Sequence, residues 1–174
     1  MKQMLFFLVG AAVLLAINGC DAITTDFDTN LNKTILAEVA EVKSGTKDAV
    51  TYPFNTTDVL DIRDNSKIND YFDRLKEINV NSITCTFTGI PSGETVAELT
   101  ISIPSAGLEV KLTDIDNATQ VTLDVTPQIL DAVSKRLIET HEITIGISGR
   151  STYAPMTLST LMNFAVTVKA RVLD

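Results

Sequence analysis

From Met162 to Val172, apolar side chains hold every second position. Met162, Phe164, Val166, Val168, Ala170 and Val172 fall on one side, with Asn163, Thr167, Lys169 and Arg171 on the other. A period of two is the mark of a strand with one buried and one solvated face. A regular strand of this length suits the centre of a sheet. The same rhythm recurs upstream. Ser82 to Thr88 sets Ile83, Cys85 and Phe87 against Ser82, Thr84, Thr86 and Thr88, and Gly89 with Pro91-Ser92-Gly93 predicts a turn. Thr95 to Ile103 continues it, with Ala97, Leu99, Ile101 and Ile103 inward and Glu98, Thr100 and Ser102 outward. Leu108, Val110 and Leu112 line a further strand. Asp114 to Ala118 is a turn, Val121, Leu123 and Val125 line the next strand, and Ile143, Ile145 and Ile147 form another that ends at Gly149, before a loop over Arg150 to Pro155.

The remaining segments are less regular. Leu31 to Val42 mixes β-branched residues with Ala and Glu, and the β-branched content favours a strand. Lys43 to Asp48 reads as a loop, and Pro53 restricts Val50 to Phe54 to an edge strand. Thr57 to Ile62 is a short strand. Ile68, Tyr71, Phe72, Leu75 and Ile78 recur at helical spacing behind the capping residues Asp64-Asn65-Ser66, which predicts a helix over Ser66 to Glu77. Thr126-Pro127 starts a second helix, with Ile129, Leu130, Val133 and Leu137 as its apolar stripe.

Two stretches resemble each other. Leu60-Asp61-Ile62 leads through a helix to Arg74-Leu75 and then to Ile83 to Gly89. Leu123-Asp124-Val125 leads through a helix to Arg136-Leu137 and then to Ile143 to Gly149. A duplicated strand-helix-strand-strand unit is one reading, with the helices closing opposite ends of a sandwich. The other is that any helix-to-strand passage in a β-rich domain looks like this. The alternating strands and two short helices together predict a mainly β, antiparallel β-sandwich, Ig-like or related.

The first residues are of another kind. Lys2 is followed by an apolar run from Met4 to Ile17, broken only by Gly10, and then by Ile17-Asn18-Gly19-Cys20. A positive end, a short apolar core and a small residue before the cut make a secretory signal, too short to span a bilayer comfortably. The small residue followed at once by cysteine resembles the lipobox of bacterial lipoproteins. That resemblance implies cleavage before Cys20, acylation of its thiol by fatty acids such as palmitate, and attachment to a membrane through that residue. The acidic start after Cys20, the Asn/Thr/Ile-rich body and the acidic balance resemble envelope lipoproteins of the Bacteroidota, which implies an outer-membrane location on either face. The expected organisation is a signal over residues 1–19, a polar tether over 20–30 and one β-sandwich domain over 31–174.

Charge narrows the partners. The chain carries 14 basic and 22 acidic residues, a net charge of −8, and no basic cluster, so nucleic acid would be repelled. With Cys20 acylated, Cys85 has no partner for a disulfide, and its place between Ile83 and Phe87 makes it a buried apolar residue. His141 is the sole histidine and follows the second helix, where a cation suits the helix end. No GxSxG, HExxH, CxxC or phosphate-loop pattern is present, so no catalytic residue and no cofactor is expected. Asp26-x-Asp28-x-Asn30 opens like a calcium loop but lacks its glycine and its closing glutamate. Asp61 with Asp64, and Asp114 with Asp116, are the remaining weak calcium candidates, each more often a cap or a turn. Tyr52, Phe54 and Tyr153 could form a small contact patch or cover the ends of the core. These features point to a non-enzymatic envelope lipoprotein acting by contact with a protein partner. The alternative is a binding module for a small apolar or lipid-like ligand between the sheets.

Overall fold

The computed structural model describes residues 23–41 and 51–172. The Lys2 to Cys20 signal and the Lys43 to Asp48 loop lie outside the described residues.

Eight strands form. They are β1 (Thr24–Val39), β2 (Tyr52–Asp61), β3 (Leu75–Thr88), β4 (Val96–Ile103), β5 (Leu108–Ile115), β6 (Gln120–Thr122), β7 (Glu142–Ser151) and β8 (Met156–Arg171). Two helices accompany them, α1 (Ser66–Asn69) and α2 (Pro127–Thr140). The strands make two four-stranded antiparallel sheets, the first in the order β1-β8-β3-β6 and the second in the order β2-β7-β4-β5. The pairing has a simple logic. β1 pairs with β8, β2 with β7, β3 with β6 and β4 with β5, so the first half of the chain lies along the second. Wrapping that long hairpin brings β8 beside β3 and β7 beside β4. This is jelly-roll connectivity. The antiparallel sandwich expected from the alternation is therefore present, with a strand order different from that of an immunoglobulin domain.

β8 lies in the interior of its sheet, as its regular alternation predicts, and its residues Leu158, Met162, Phe164, Val168 and Ala170 are fully buried. All but Ala170 belong with Ile101, Ile145 and Val96 of the second sheet to one continuous core. The first sheet is the longer: β1 and β8 have 16 residues each, against at most 10 for any strand of the second sheet. Its surplus projects at the end where β1 begins and β8 finishes, with Thr24 opposite Arg171. Helices cover that surplus. α2 packs on β3, Phe27 of β1 meets Tyr71 at a ring separation of 5.3 Å, and Phe72 meets His141 at 4.6 Å.

Every connection but β4–β5 passes between sheets. The links over residues 62–74, 104–107 and 123–141 therefore gather at this helix-bearing end, and those over 89–95, 116–119 and 152–155 gather at the other. Side chains tie the second group together. Asn117 Oδ1 accepts from the backbone N–H of Gly89 and Ile90, and the Thr152 hydroxyl donates to Glu94. Gly89, at φ 89°, lies where a side chain would strike the Thr157 carbonyl.

Several expectations need correction, among them the strand over Val121 to Val125, of which only Gln120–Thr122 forms as β6. The helix over Ser66 to Glu77 shrinks to the single turn of α1, flanked by 3-10 turns at Ile62–Asp64 and Phe72–Arg74. β3 takes Leu75 and Ile78 instead, because they pair with Ala170 and Val168 of β8, and Asn69, Asp70 and Asp73 are poor helix formers. The tether is shorter than expected, since β1 is already paired from Thr24. Phe27 is the one large apolar residue between Thr24 and Asn30, and β8 supplies the register. Val96 rather than Ala97 points inward, because a bulge against β7 inserts one extra residue between Val96 and Glu98. Finally, the two crossings lie at the same end of the sandwich. Tyr52 to Asp61 forms one continuous edge strand, in which Pro53 removes no needed donor.

Candidate contact surfaces

The weak calcium candidates fall into two separate places. Asp61 caps the 3-10 turn that follows β2. It accepts from the backbone N–H of Arg63 at 2.8 Å and from the Arg63 guanidinium through both carboxylate oxygens. The guanidinium hydrogen bond holds the Asp61 carboxyl below its ordinary range. A carboxylate so engaged has little left for a cation. Asp64 borders a recess of about 110 Å³ with Asp61, Asn30 and Asn65. The Asn65 side chain is spent on the fold, accepting from Ile68 N–H and donating to the Asn30 carbonyl and the Thr29 hydroxyl. Asp114, at φ 53°, and Asp116 are exposed at the far end of the molecule. Among the described residues no three His, Cys, Asp or Glu side chains converge.

The other singled-out residues are structural. Cys85 is fully buried, and burial pushes its thiol up to about 12. His141 ends α2 in the left-handed conformation, at φ 64°. Its N–H reaches the Leu137 carbonyl and its own carbonyl accepts from Ile62. Phe54 is buried in the core, Tyr52 is half-buried and Tyr153 is exposed, so the three do not form a patch.

The outer faces of the two sheets differ in charge. The second sheet carries charge of both signs on its outer face. Arg150 lies opposite Glu98, and Lys111 and Glu109 alternate along β5. The outer face of the first sheet is neutral over four consecutive rows. Asn30, Ala165 and Ser82 make the first; Asn32, Asn163, Thr84 and Thr122 the second. Thr34, Leu161, Thr86 and Gln120 make the third; Leu36, Ser159 and Thr88 the fourth. Two leucines stand among these hydroxyls and amides, Leu36 at 57% exposure and Leu161 at 42%. They sit in diagonal positions on neighbouring strands, close enough for their side chains to cooperate. Sequence reasoning missed them. The signal was there, in the doublets Ile35-Leu36 and Leu161-Met162, where an apolar residue falls in phase with the polar set.

Charge returns at the helix-bearing edge of this face, first with Asp28 of β1, which accepts from the Thr167 hydroxyl, and in the next row with Lys169 of β8 between Asp26 of β1 and Glu77 of β3. Along the seam between the sheets, Lys33 of β1 reaches Asp58 of β2 at 2.8 Å, and that hydrogen bond lowers the Asp58 carboxyl. An inward charge on an edge strand deters pairing with another chain.

Concavities of about 350 Å³ at Asp28, Asn81 and Thr167, and about 300 Å³ at Glu98, Thr100 and Lys111, open on the outer faces. Between the sheets Ile83, Phe87, Ile101, Ile145 and Phe164 are closed to solvent. Thr160, also fully buried, has a hydroxyl with no partner. No described helix is long and apolar enough to cross a membrane.

No protein-family model and no curated protein matches the chain. Solved structures with a related fold include the decameric BFDV capsid protein, at 8% identity and a TM-score of 0.47, covering 83% of this chain and 99% of that one. Desmodium yellow mottle tymovirus matches at 10% identity and 0.42, covering 100% and 95%. Mud crab tombus-like virus matches at 6% and 0.35, covering 95% and 100%. At these values the likeness carries no functional argument, and the jelly-roll assignment rests on the strand order.

Proposed function

We propose that this chain is a lipid-anchored protein of the bacterial envelope, held at the outer membrane through Cys20, whose jelly roll acts by protein contact rather than by catalysis. The observation that carries the reading is the sequence Ile17-Asn18-Gly19-Cys20 behind a short apolar run. Two acyl chains give a durable anchor where one binds only marginally. The position of the first described residue agrees with it: Ile23 lies at the helix-bearing end, its carbonyl accepting from Val172. A chain anchored three residues earlier holds that end toward the membrane and turns the loops at 89–95, 116–119 and 152–155 away from it. The closed core between the sheets favours contact over an apolar ligand held there.

Metabolic labelling with a palmitate analogue, followed by membrane fractionation, tests the reading. The native chain is expected to take up label and sediment with the outer membrane, and Cys20→Ser to do neither. An unlabelled native chain in the soluble fraction would sink it. Protease shaving of intact cells then assigns the face.

A further inference from the structure

We infer that the partner of the neutral face is a second copy of this chain, docked across a two-fold axis that runs between β8 and β3 along the strands. The inference rests on the contact reading above and names the partner.

Charge carries the argument. The chain has a net charge of −8, so two copies repel over most of their surface. The four neutral rows let them approach with no carboxylate facing a carboxylate. The edge of the face then specifies the geometry. Lys169 on β8 and Glu77 on β3 share one row. A two-fold axis between these strands lays β8 of one copy over β3 of the other. Each Lys169 then faces the second copy's Glu77, and two ion pairs close the rim. The same operation sets Leu161 over the second copy's Thr86. Asp26, on the outer strand β1, meets no strand in the second copy, because β6 spans just Gln120–Thr122; α2, with Lys135 beside Glu77, runs along that edge of β3 instead. Glu38 lies at the opposite edge, held by the Thr157 hydroxyl. Arg171 extends past Lys169 at the helix-bearing rim.

Area sets the strength. Strands about 4.8 Å apart and rows about 6.7 Å apart make a face of roughly 15 by 25 Å. That is below the ~800 Å² per partner of a standard interface, which places the dimer in the weak, transient class. Anchoring both copies in one membrane raises their effective concentration and favours this side-by-side arrangement.

The test uses the full-length chain extracted in detergent, with micelles in excess, studied by chemical cross-linking and sedimentation. The native chain is expected to dimerise, and Leu161→Asp to weaken dimerisation by at least about tenfold. Lys169→Glu and Glu77→Lys are each expected to weaken it alone. Mixing the two singly substituted chains should restore it. In the mixed dimer both rim pairs are attractive, whereas within each chain the Lys169–Glu77 row has become repulsive, so restoration reports contact between chains. Circular dichroism of each variant checks the fold. A native chain that stays monomeric up to about 100 µM overturns the inference. So does a dimer that survives Leu161→Asp, or variants that mixing fails to restore. Each of these outcomes leaves the labelling test of the anchor standing.

Discussion

Two passages of this chain start alike and end differently. Leu60-Asp61-Ile62 and Leu123-Asp124-Val125 both lead out of a strand, cross between the sheets at the same end and reach an Arg-Leu pair. The first makes a single turn of helix and then β3. The second makes the 14 residues of α2 and then β7. The strand orders show why the passages match. Reversing the first sheet gives β6-β3-β8-β1, which maps onto β2-β7-β4-β5 when each strand is exchanged with the one four places away. The two crossings are equivalent places in a roll whose halves have the same connectivity. They differ because β8 extends past the second sheet and claims Leu75 and Ile78 as partners, whereas β7 starts only at Glu142. An apolar spacing of three and four is an offer of a helix, and a neighbouring strand can outbid it.

The largest test of this difference is at the paired leucines. Leu137 is fully buried, and Leu137→Ala is expected to cost about 2–5 kcal/mol in urea denaturation. Leu75 is half-buried, and Leu75→Ala should cost about half as much. Equal costs would mean that the crossings carry equal shares of the core. The next test is Ser134, which joins the two passages. Its hydroxyl donates to the Leu130 carbonyl and accepts from Val80 N–H at 2.8 Å, beside the bulge at Asn81. Ser134→Ala strands a buried donor, at an expected cost of about 1–3 kcal/mol. An unchanged midpoint would show that α2 and β3 are not coupled there.

Thr160→Val works in the other direction. It removes the orphaned hydroxyl between the sheets and should stabilise by about 1 kcal/mol. A loss of stability would reveal a bound water at that hydroxyl. The smallest effect is in acid. The Arg63 and Lys33 hydrogen bonds hold Asp61 and Asp58 below their ordinary value of 3.8. A depressed carboxyl contributes stability that is present above its unfolded value and lost as the pH falls through its folded one. Below about pH 4 the native chain should therefore lose stability more steeply than Asp61→Asn or Asp58→Asn. Parallel pH curves would mean that these exposed pairs contribute nothing measurable.

Strands with full alternation were legible from residues alone: β8 from Met162 onward, β7 as far as Ile147 and the second half of β3 carry an inward apolar residue at every second position. Bulges were not. Lys76, Asn81 and Ala97 are each the extra residue of a two-against-one pairing, and nothing local distinguishes such a residue from a regular one. The start of β1 was hidden for a different reason. Thr24 to Asn30 is polar enough for a tether, and its pairing with β8 depends on residues more than 130 positions away. The contact face was half legible. Its threonines read as a solvated surface, whereas the neutrality of four adjacent rows appears only once three distant strands are laid side by side.

β8 is the last of the described strands and lies between β1 and β3. Until it arrives, the first and third strands have no partner along the sides they will share with it, and the sheet has a gap in its middle rather than a missing margin. Synthesis runs from the N-terminus, so the first sheet is completed only once β8 has emerged. A nonsense mutation that removes β8 alone therefore exposes two edges at once.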